Sequence, residues 1–172
     1  QLGLGDRTNR SAPVKIGTST DWLDVNAGYH GTVAIKQNGT IWAWGWNING
    51  QLGLGSSVTF QLTPAQIGTD SNWASVPETL NATFAIKTDG TLWACGYNGQ
   101  NMINTSSTSK IYTLQQIGTD SDWKSVSTGY RHVGAIKTDG SLWTWGENLK
   151  GQLGHNDLLP RNTPTKVIIT GT

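Results

Sequence analysis

Three stretches decide the fold: AIKQNGTIWAW (34–44), AIKTDGTLWAC (85–95) and AIKTDGSLWTW (135–145). Each is a pair of short apolar runs joined by Asn-Gly or Asp-Gly. That dipeptide tolerates positive φ at both central positions, so it predicts a two-residue hairpin turn whose twist suits the flanking strands. In the second run of the first copy, Trp42 and Trp44 fall on one face and Ile41 and Ala43 on the other. Both faces are apolar, the pattern of a sheet held between two other sheets.

Working outward, the hairpins sit inside longer repeats: WLDVNAGYHGTVAIKQNGTIWAWG (22–45), WASVPETLNATFAIKTDGTLWACG (73–96) and WKSVSTGYRHVGAIKTDGSLWTWG (123–146). Trp22, Trp73 and Trp123 are 51 and 50 residues apart, and QLGLG recurs at 1–5 and 51–55, with QLGH at 152–155. The W-x-x-V start of each repeat reads as a further strand before the hairpin. P-x-x-I/V (13–16, 64–67, 164–167) reads as one after it, opened by Pro13, Pro64 and Pro164, with Leu114 in place of Pro in the second repeat. A missing amide donor does least harm at a strand's first residue. No twelve-residue window sustains a helical period. Four short antiparallel strands per ~50 residues make a β-propeller blade, which buries its faces only by stacking on neighbours. The chain is therefore expected to be all-β, with three complete four-stranded blades at 22–72, 73–122 and 123–172, and with 1–21 supplying the outer strand of a preceding blade and a linker. Closed propellers have roughly four to eight blades. Three blades thus point to one part of a longer array, with a domain-swapped dimer as the second option.

Composition removes several function classes. Lys and Arg number 12 against 11 Asp and Glu, a net charge of +1, which gives no field for nucleic acid or an acidic membrane surface. Cys95 is the single cysteine, so no internal disulfide or cysteine zinc cage forms. No stretch reaches the roughly 20 apolar residues of a membrane-spanning helix. His30, His132 and His155 are unmatched by a repeated nucleophile or carboxylate. The Asp-Ser-Asp at 120–122 lacks the Gly and distal Glu of a calcium loop. Asp21 and Asp122 read as caps of the turn before each Trp, and Cys95, standing where the sister repeats have Trp44 and Trp145, reads as a small core residue. No catalytic residue, cofactor or metal is expected.

The run Val-Ser-x-Gly-x-x-His (126–132), followed by AIKTDGSLWTWG (135–146) and Gly-Gln-Leu-Gly (151–154), resembles the repeat of the regulator of chromosome condensation family. The resemblance covers nearly the whole chain and implies a seven-bladed propeller as the parent architecture. It implies one of two activities: a non-enzymatic scaffold for protein–protein interaction, secreted or on a bacterial cell surface, or a guanine nucleotide exchange factor for a small GTPase. A carbohydrate-binding propeller is a third possibility, which would want exposed Trp and has Trp46 as its candidate. A cytoplasmic setting is the alternative location. Only the third repeat carries the family's His, as His132, which is expected to hydrogen-bond within its blade. Gly31 and Ala82 stand there in the other repeats, and the second repeat degrades Gly-Gln-Leu-Gly to GQNMIN (99–104).

In an up-down-up-down blade the hairpin turn and the interblade link share one rim, and here both are repeated. The opposite rim carries the variety: AGYHG (27–31), PETLN (77–81), TGYRH (128–132), and the loops 46–63, 97–113 and 147–163. Variable loops on a fixed scaffold commonly carry binding residues. Tyr29, His30, Trp46, Glu78, Tyr97, Tyr130, Arg131 and His132 are the candidate partner-binding residues of that rim. Trp46 is the one Trp off the repeat pattern and is expected to be more exposed than Trp42, Trp93 and Trp143, which are expected to be buried between blades. The expected partner is a protein of unknown identity, with self-association or contact with further chain as the other possibilities. Neither nucleic acid nor membrane insertion is expected.

Overall fold

The computed structural model describes residues 1–77, 81–103 and 109–169. Twelve strands form three four-stranded sheets. The first holds β1 (Trp22–Ala27), β2 (Gly31–Lys36), β3 (Ile41–Trp46) and β4 (Phe60–Gln66); the second β5 (Trp73–Ser75), β6 (Ala82–Lys87), β7 (Leu92–Tyr97) and β8 (Lys110–Gln116). The third holds β9 (Trp123–Thr128), β10 (His132–Lys137), β11 (Leu142–Gly146) and β12 (Arg161–Lys166). All pairing is antiparallel between strands consecutive in sequence. Among the described residues the one helical element is a 3-10 turn at Gly99–Asn101.

The hairpin turns differ from the two-residue expectation. Lys36 N–H donates to the Thr40 carbonyl at 3.0 Å and Gly39 N–H to the Lys36 carbonyl at 2.8 Å, so three residues lie in the loop. Of the Asn-Gly and Asp-Gly pairs only the glycines take positive φ: 77° at Gly39, 79° at Gly90 and 83° at Gly140. This is a type I turn closed by a left-handed glycine bulge. The Asn or Asp is chosen for its side chain. Asp139 Oδ1 accepts from Ser141 N–H (2.8 Å) and Oγ–H (2.6 Å), and Ser141 Oγ in turn accepts from Trp143 Nε1 (2.8 Å). Asn38–Thr40–Trp42 and Asp89–Thr91–Trp93 repeat this chain. The hydroxyl and backbone bonds hold the Asp89 and Asp139 carboxyls below their ordinary pKa.

The prolines also sit elsewhere than expected. Pro64 and Pro164 lie inside β4 and β12, the outermost strands, where the ladder skips between Ala43 and Gly45 and between Thr144 and Gly146. An edge strand at a bulge tolerates a residue without an amide donor. Residues 13–16 form no strand, because no neighbouring strand pairs with them.

The second and third blades turn their Trp faces toward the preceding blade, which meets them with its Ile/Ala face, while Trp44 of the first blade packs against Gly3 of the leading segment. Ile35, Ile41 and Ala43 of the first blade enclose a core with Trp73, Val76 and Ala85 of the second. Phe84, Leu92 and Ala94 of the second do so with Trp123, Val133 and Trp145 of the third. The turn glycines belong to this contact: a Cβ on Gly39 or Gly90 would collide with the carbonyl of Ser71 or Ser121. Their own carbonyls accept from Trp73 N–H (3.0 Å) and Trp123 N–H (3.1 Å). Asn26 Nδ2 adds a bond to the Val76 carbonyl.

The third blade's far face has no such cover. Ile136 and Leu142 are 40% and 42% exposed, whereas their counterparts Ile35 and Ile41 are at 0%. Exposed apolar sheet faces associate. Light scattering on the 172-residue chain is expected to give a mass above the monomer at micromolar concentration. A compact monomer under those conditions would count against that expectation.

Candidate functional site

The rim that repeats from blade to blade, with the hairpin turns, is committed to architecture. Lys36, Lys87 and Lys137 place their ammonium groups over Trp rings, within 4.1–4.9 Å of the centroids. Each also pairs with a carboxylate of the interblade link: Lys36 with Asp21 (3.1 Å), Lys87 with Asp70 (2.7 Å), and Lys137 with Asp120 (2.7 Å) and Asp122 (3.0 Å). The lysine side chains are mostly buried, so their methylenes pack on the rings while the head group is held by link and ring together. Asp21 and Asp122 thus act as counter-ions more than as caps. Sequence reasoning missed these lysines, although their position in every Ala-Ile-Lys was the signal.

The variable rim divides into two clusters. In the first blade Tyr29, His30 and Trp46 stack edge to face, with centroid separations of 4.2 and 4.5 Å. The Trp46 N–H donates to the His30 carbonyl at 2.9 Å, which fixes the end of β3 against the β1–β2 loop. Tyr29 is 69% exposed. The second cluster lies between the second and third blades. There Tyr97 and Tyr130 line one narrow cleft, Arg131 lies 5.4 Å from the Tyr130 centroid, and the same guanidinium reaches Glu147 at 3.4 Å. Among the described residues His132 makes no side-chain hydrogen bond, contrary to expectation. Its ring lies against Gly129, in the space a side chain there would need. Glu78 lies outside the described residues.

Exposure does not single out Trp46. It is half-buried, and so are Trp42, Trp93 and Trp143. The deeply buried indoles are Trp44, Trp73, Trp123 and Trp145: the last three enter the cores shared between blades, and Trp44 packs against Gly3 of the leading segment. What distinguishes Trp46 is its surroundings: with His30 it walls a concavity of about 400 Å³, completed by Phe60, Leu62, Leu2 and Arg7. Arg7 stacks 4.1 Å from the Phe60 centroid. Phe60 and Arg7 were overlooked in the sequence, though Phe60 is an aromatic without a counterpart, sitting inside the variable loop.

Cys95 is fully buried, and burial pushes its thiol up to about 12, far from the thiolate a nucleophile needs. Among the described residues no three His, Cys, Asp or Glu converge as a metal site, and no helix is long and apolar enough to cross a membrane.

Blades of this order, turn chemistry and repeat length are matched by the regulator of chromosome condensation (RCC1) repeat. Two descriptions of that repeat fit, one over residues 38–77 and 139–171, the other over 22–51 and 123–152. The chain belongs to the RCC1 repeat family. It is 32% identical to the Ultraviolet-B receptor UVR8 of Arabidopsis thaliana over 102 residues, 56% of this chain and 23% of that protein. Against the Regulator of chromosome condensation of Xenopus laevis it is 26% identical over 117 residues, 66% of this chain and 28% of the relative. The chain therefore spans less than a third of these relatives. Among solved structures, Prp20p of Saccharomyces cerevisiae, described with its binding to Gsp1p and histones, superposes with a TM-score of 0.78 at 18% identity, covering 87% of this chain and 39% of that one. At that identity the match concerns the fold.

Proposed function

We propose that this chain is a non-enzymatic scaffold that binds another protein through its variable rim. The observation that carries the reading is the contrast between rims. One is spent on lysine clamps and turn contacts repeated in all three blades; the other exposes Tyr29 and Tyr130 on loops that differ from blade to blade. Tyr, Trp and Arg are the side chains that most often anchor protein interfaces. Near-zero net charge supports a protein partner over a nucleic acid. An extracellular or cell-surface setting belongs to the same proposal and rests on likeness to Trp- and Gly-rich bacterial repeats of this type; fractionation of the native source tests it.

The variant Tyr29→Ala/Tyr130→Ala/Arg131→Ala is expected to lose a partner captured from the native source while keeping the wild-type melting curve. Gln37→Glu/Thr138→Glu, on exposed turn positions of the other rim, is expected to keep the partner. Loss in the turn variant alone would reverse the assignment of rims. Stimulated nucleotide release from a small GTPase would place exchange activity first.

A further inference from the structure

We propose that the concavity where residues 1–9 meet the first blade is a docking pocket for a protein segment carrying an aromatic side chain beside a carboxylate. This rests on the rim reading and names the chemistry that one part of the rim recognises.

Three observations carry it. The first is shape and lining: about 400 Å³ bounded by the rings of His30, Trp46 and Phe60 and the side chains of Leu2 and Leu62. That volume lies in the range of pockets that enclose small organic groups. Phe60 and Leu2 are 47% and 46% exposed there, so the apolar surface is open to a ligand.

The second is that the walls are not architectural. Trp46 pairs with Phe60 across the β3–β4 ladder and its N–H bonds the His30 carbonyl. The same backbone contacts in the second blade join Tyr97 to Lys110 and to Asn81. In the third blade Glu147 bonds the Arg131 carbonyl. The fold therefore accepts Asn and Lys, or Arg and Glu, where the first blade has rings. Repeated scaffold chemistry does not account for three aromatic walls in one blade.

The third is charge. Asp6 at the mouth is already answered by Arg10 at 2.6 Å and by Thr8 N–H at 2.9 Å. Arg7 is exposed, lies flat over Phe60, and among the described residues has no carboxylate partner. A guanidinium held by an aromatic face keeps its edge donors free for a planar carboxylate. The mouth thus offers the Arg7 side chain as an uncompensated cation beside an apolar cavity, which an aromatic side chain next to a carboxylate complements.

The test is a nuclear magnetic resonance titration of the whole 172-residue chain with N-acetyl-L-phenylalanine and its neutral amide. The acid is expected to shift the Trp46 indole and His30 ring signals saturably, with the amide roughly three- to fivefold weaker, the size of one exposed ion pair. Phe60→Ala is expected to abolish both titrations, and Arg7→Gln to make acid and amide equal. Circular dichroism on both variants checks that the fold persists. Equal shifts with N-acetylglycine, no saturable shift with any probe, or tighter binding of methyl glucoside would overturn the proposal, the last in favour of a sugar site. If the probes fail while the Tyr29/Tyr130/Arg131 variant still loses its protein partner, the pocket falls and the rim reading stands. The opposite pair of results would keep the pocket and remove the rim.

Discussion

Replacing Trp145 with Ala is expected to lower the unfolding free energy by about 3–5 kcal/mol, the cost of deleting a large aromatic from a packed core. Trp145 is 1% exposed, packs in the core shared by the second and third blades, and donates its indole N–H to the Met102 carbonyl at 2.8 Å. The substitution therefore opens a cavity and leaves a carbonyl of the neighbouring blade without its partner. Trp143→Ala should cost distinctly less, since that ring is half-buried and its indole bonds Ser141 within its own turn. Urea unfolding followed by circular dichroism measures both; equal midpoints would contradict the assignment of Trp145 to the blade contact. The second repeat solves the same position differently. Cys95 stands there against Gly53 and the Gln51 carbonyl, so Cys95→Trp would overfill the site rather than restore a contact.

Lys137→Met should cost about 2 kcal/mol, below the 3–5 kcal/mol for breaking a wholly buried pair, because Asp120 and Asp122 are themselves half in solvent. Met keeps the methylene packing on Trp123 and Trp143 and removes only the charge. The substitution also changes the alkaline limb of stability. Burial pulls the Lys137 pKa down, but hydrogen bonds and charge from Asp120 and Asp122 outweigh that and hold it above the ordinary lysine value. A folded-state pKa raised above the unfolded one, near 10.4, contributes stability that is complete below the unfolded value and is lost as pH rises through the folded value. Wild type is therefore expected to lose stability above about pH 10 more steeply than Lys137→Met, as read from urea midpoints across that range.

The blade architecture was legible because its determinants are local and recur from repeat to repeat: the Gly of each hairpin, the Trp-bearing strand after it, the fifty-residue spacing. What the sequence hid was geometry that depends on a neighbour. The Asn-Gly and Asp-Gly pairs suit two turn types, and the choice of the three-residue loop follows from side-chain bonds to Thr40, Thr91 and Ser141. Pro64 marks its strand, yet a bulge opposite Trp44, invisible in the residue pattern, carries the strand onward to Phe60. Which Trp of each pair is buried depends on what covers the Trp face, the leading segment at Gly3 for Trp44 and the second blade for Trp145, so composition could not rank Trp42 against Trp44. On the rim, Tyr29 and Tyr130 were readable as exposed aromatics in variable loops. The Phe60–Arg7 stack was not, because it joins two segments 53 positions apart that become neighbours only when the leading residues fold onto the first blade.

Strand pairing exclusively between sequence neighbours has a kinetic consequence. Every ladder pairs strands joined by at most 14 residues, so the chain-entropy barrier to forming a blade is modest and rate should follow local contacts more than chain length. Each blade then presents the turn carbonyl that receives the next Trp N–H, from Gly39 to Trp73 and from Gly90 to Trp123. Such a chain can begin ordering in any of its blades and extend outward one neighbour at a time, as quasi-one-dimensional arrays do. During synthesis that permits the first blade to order before the third has been made.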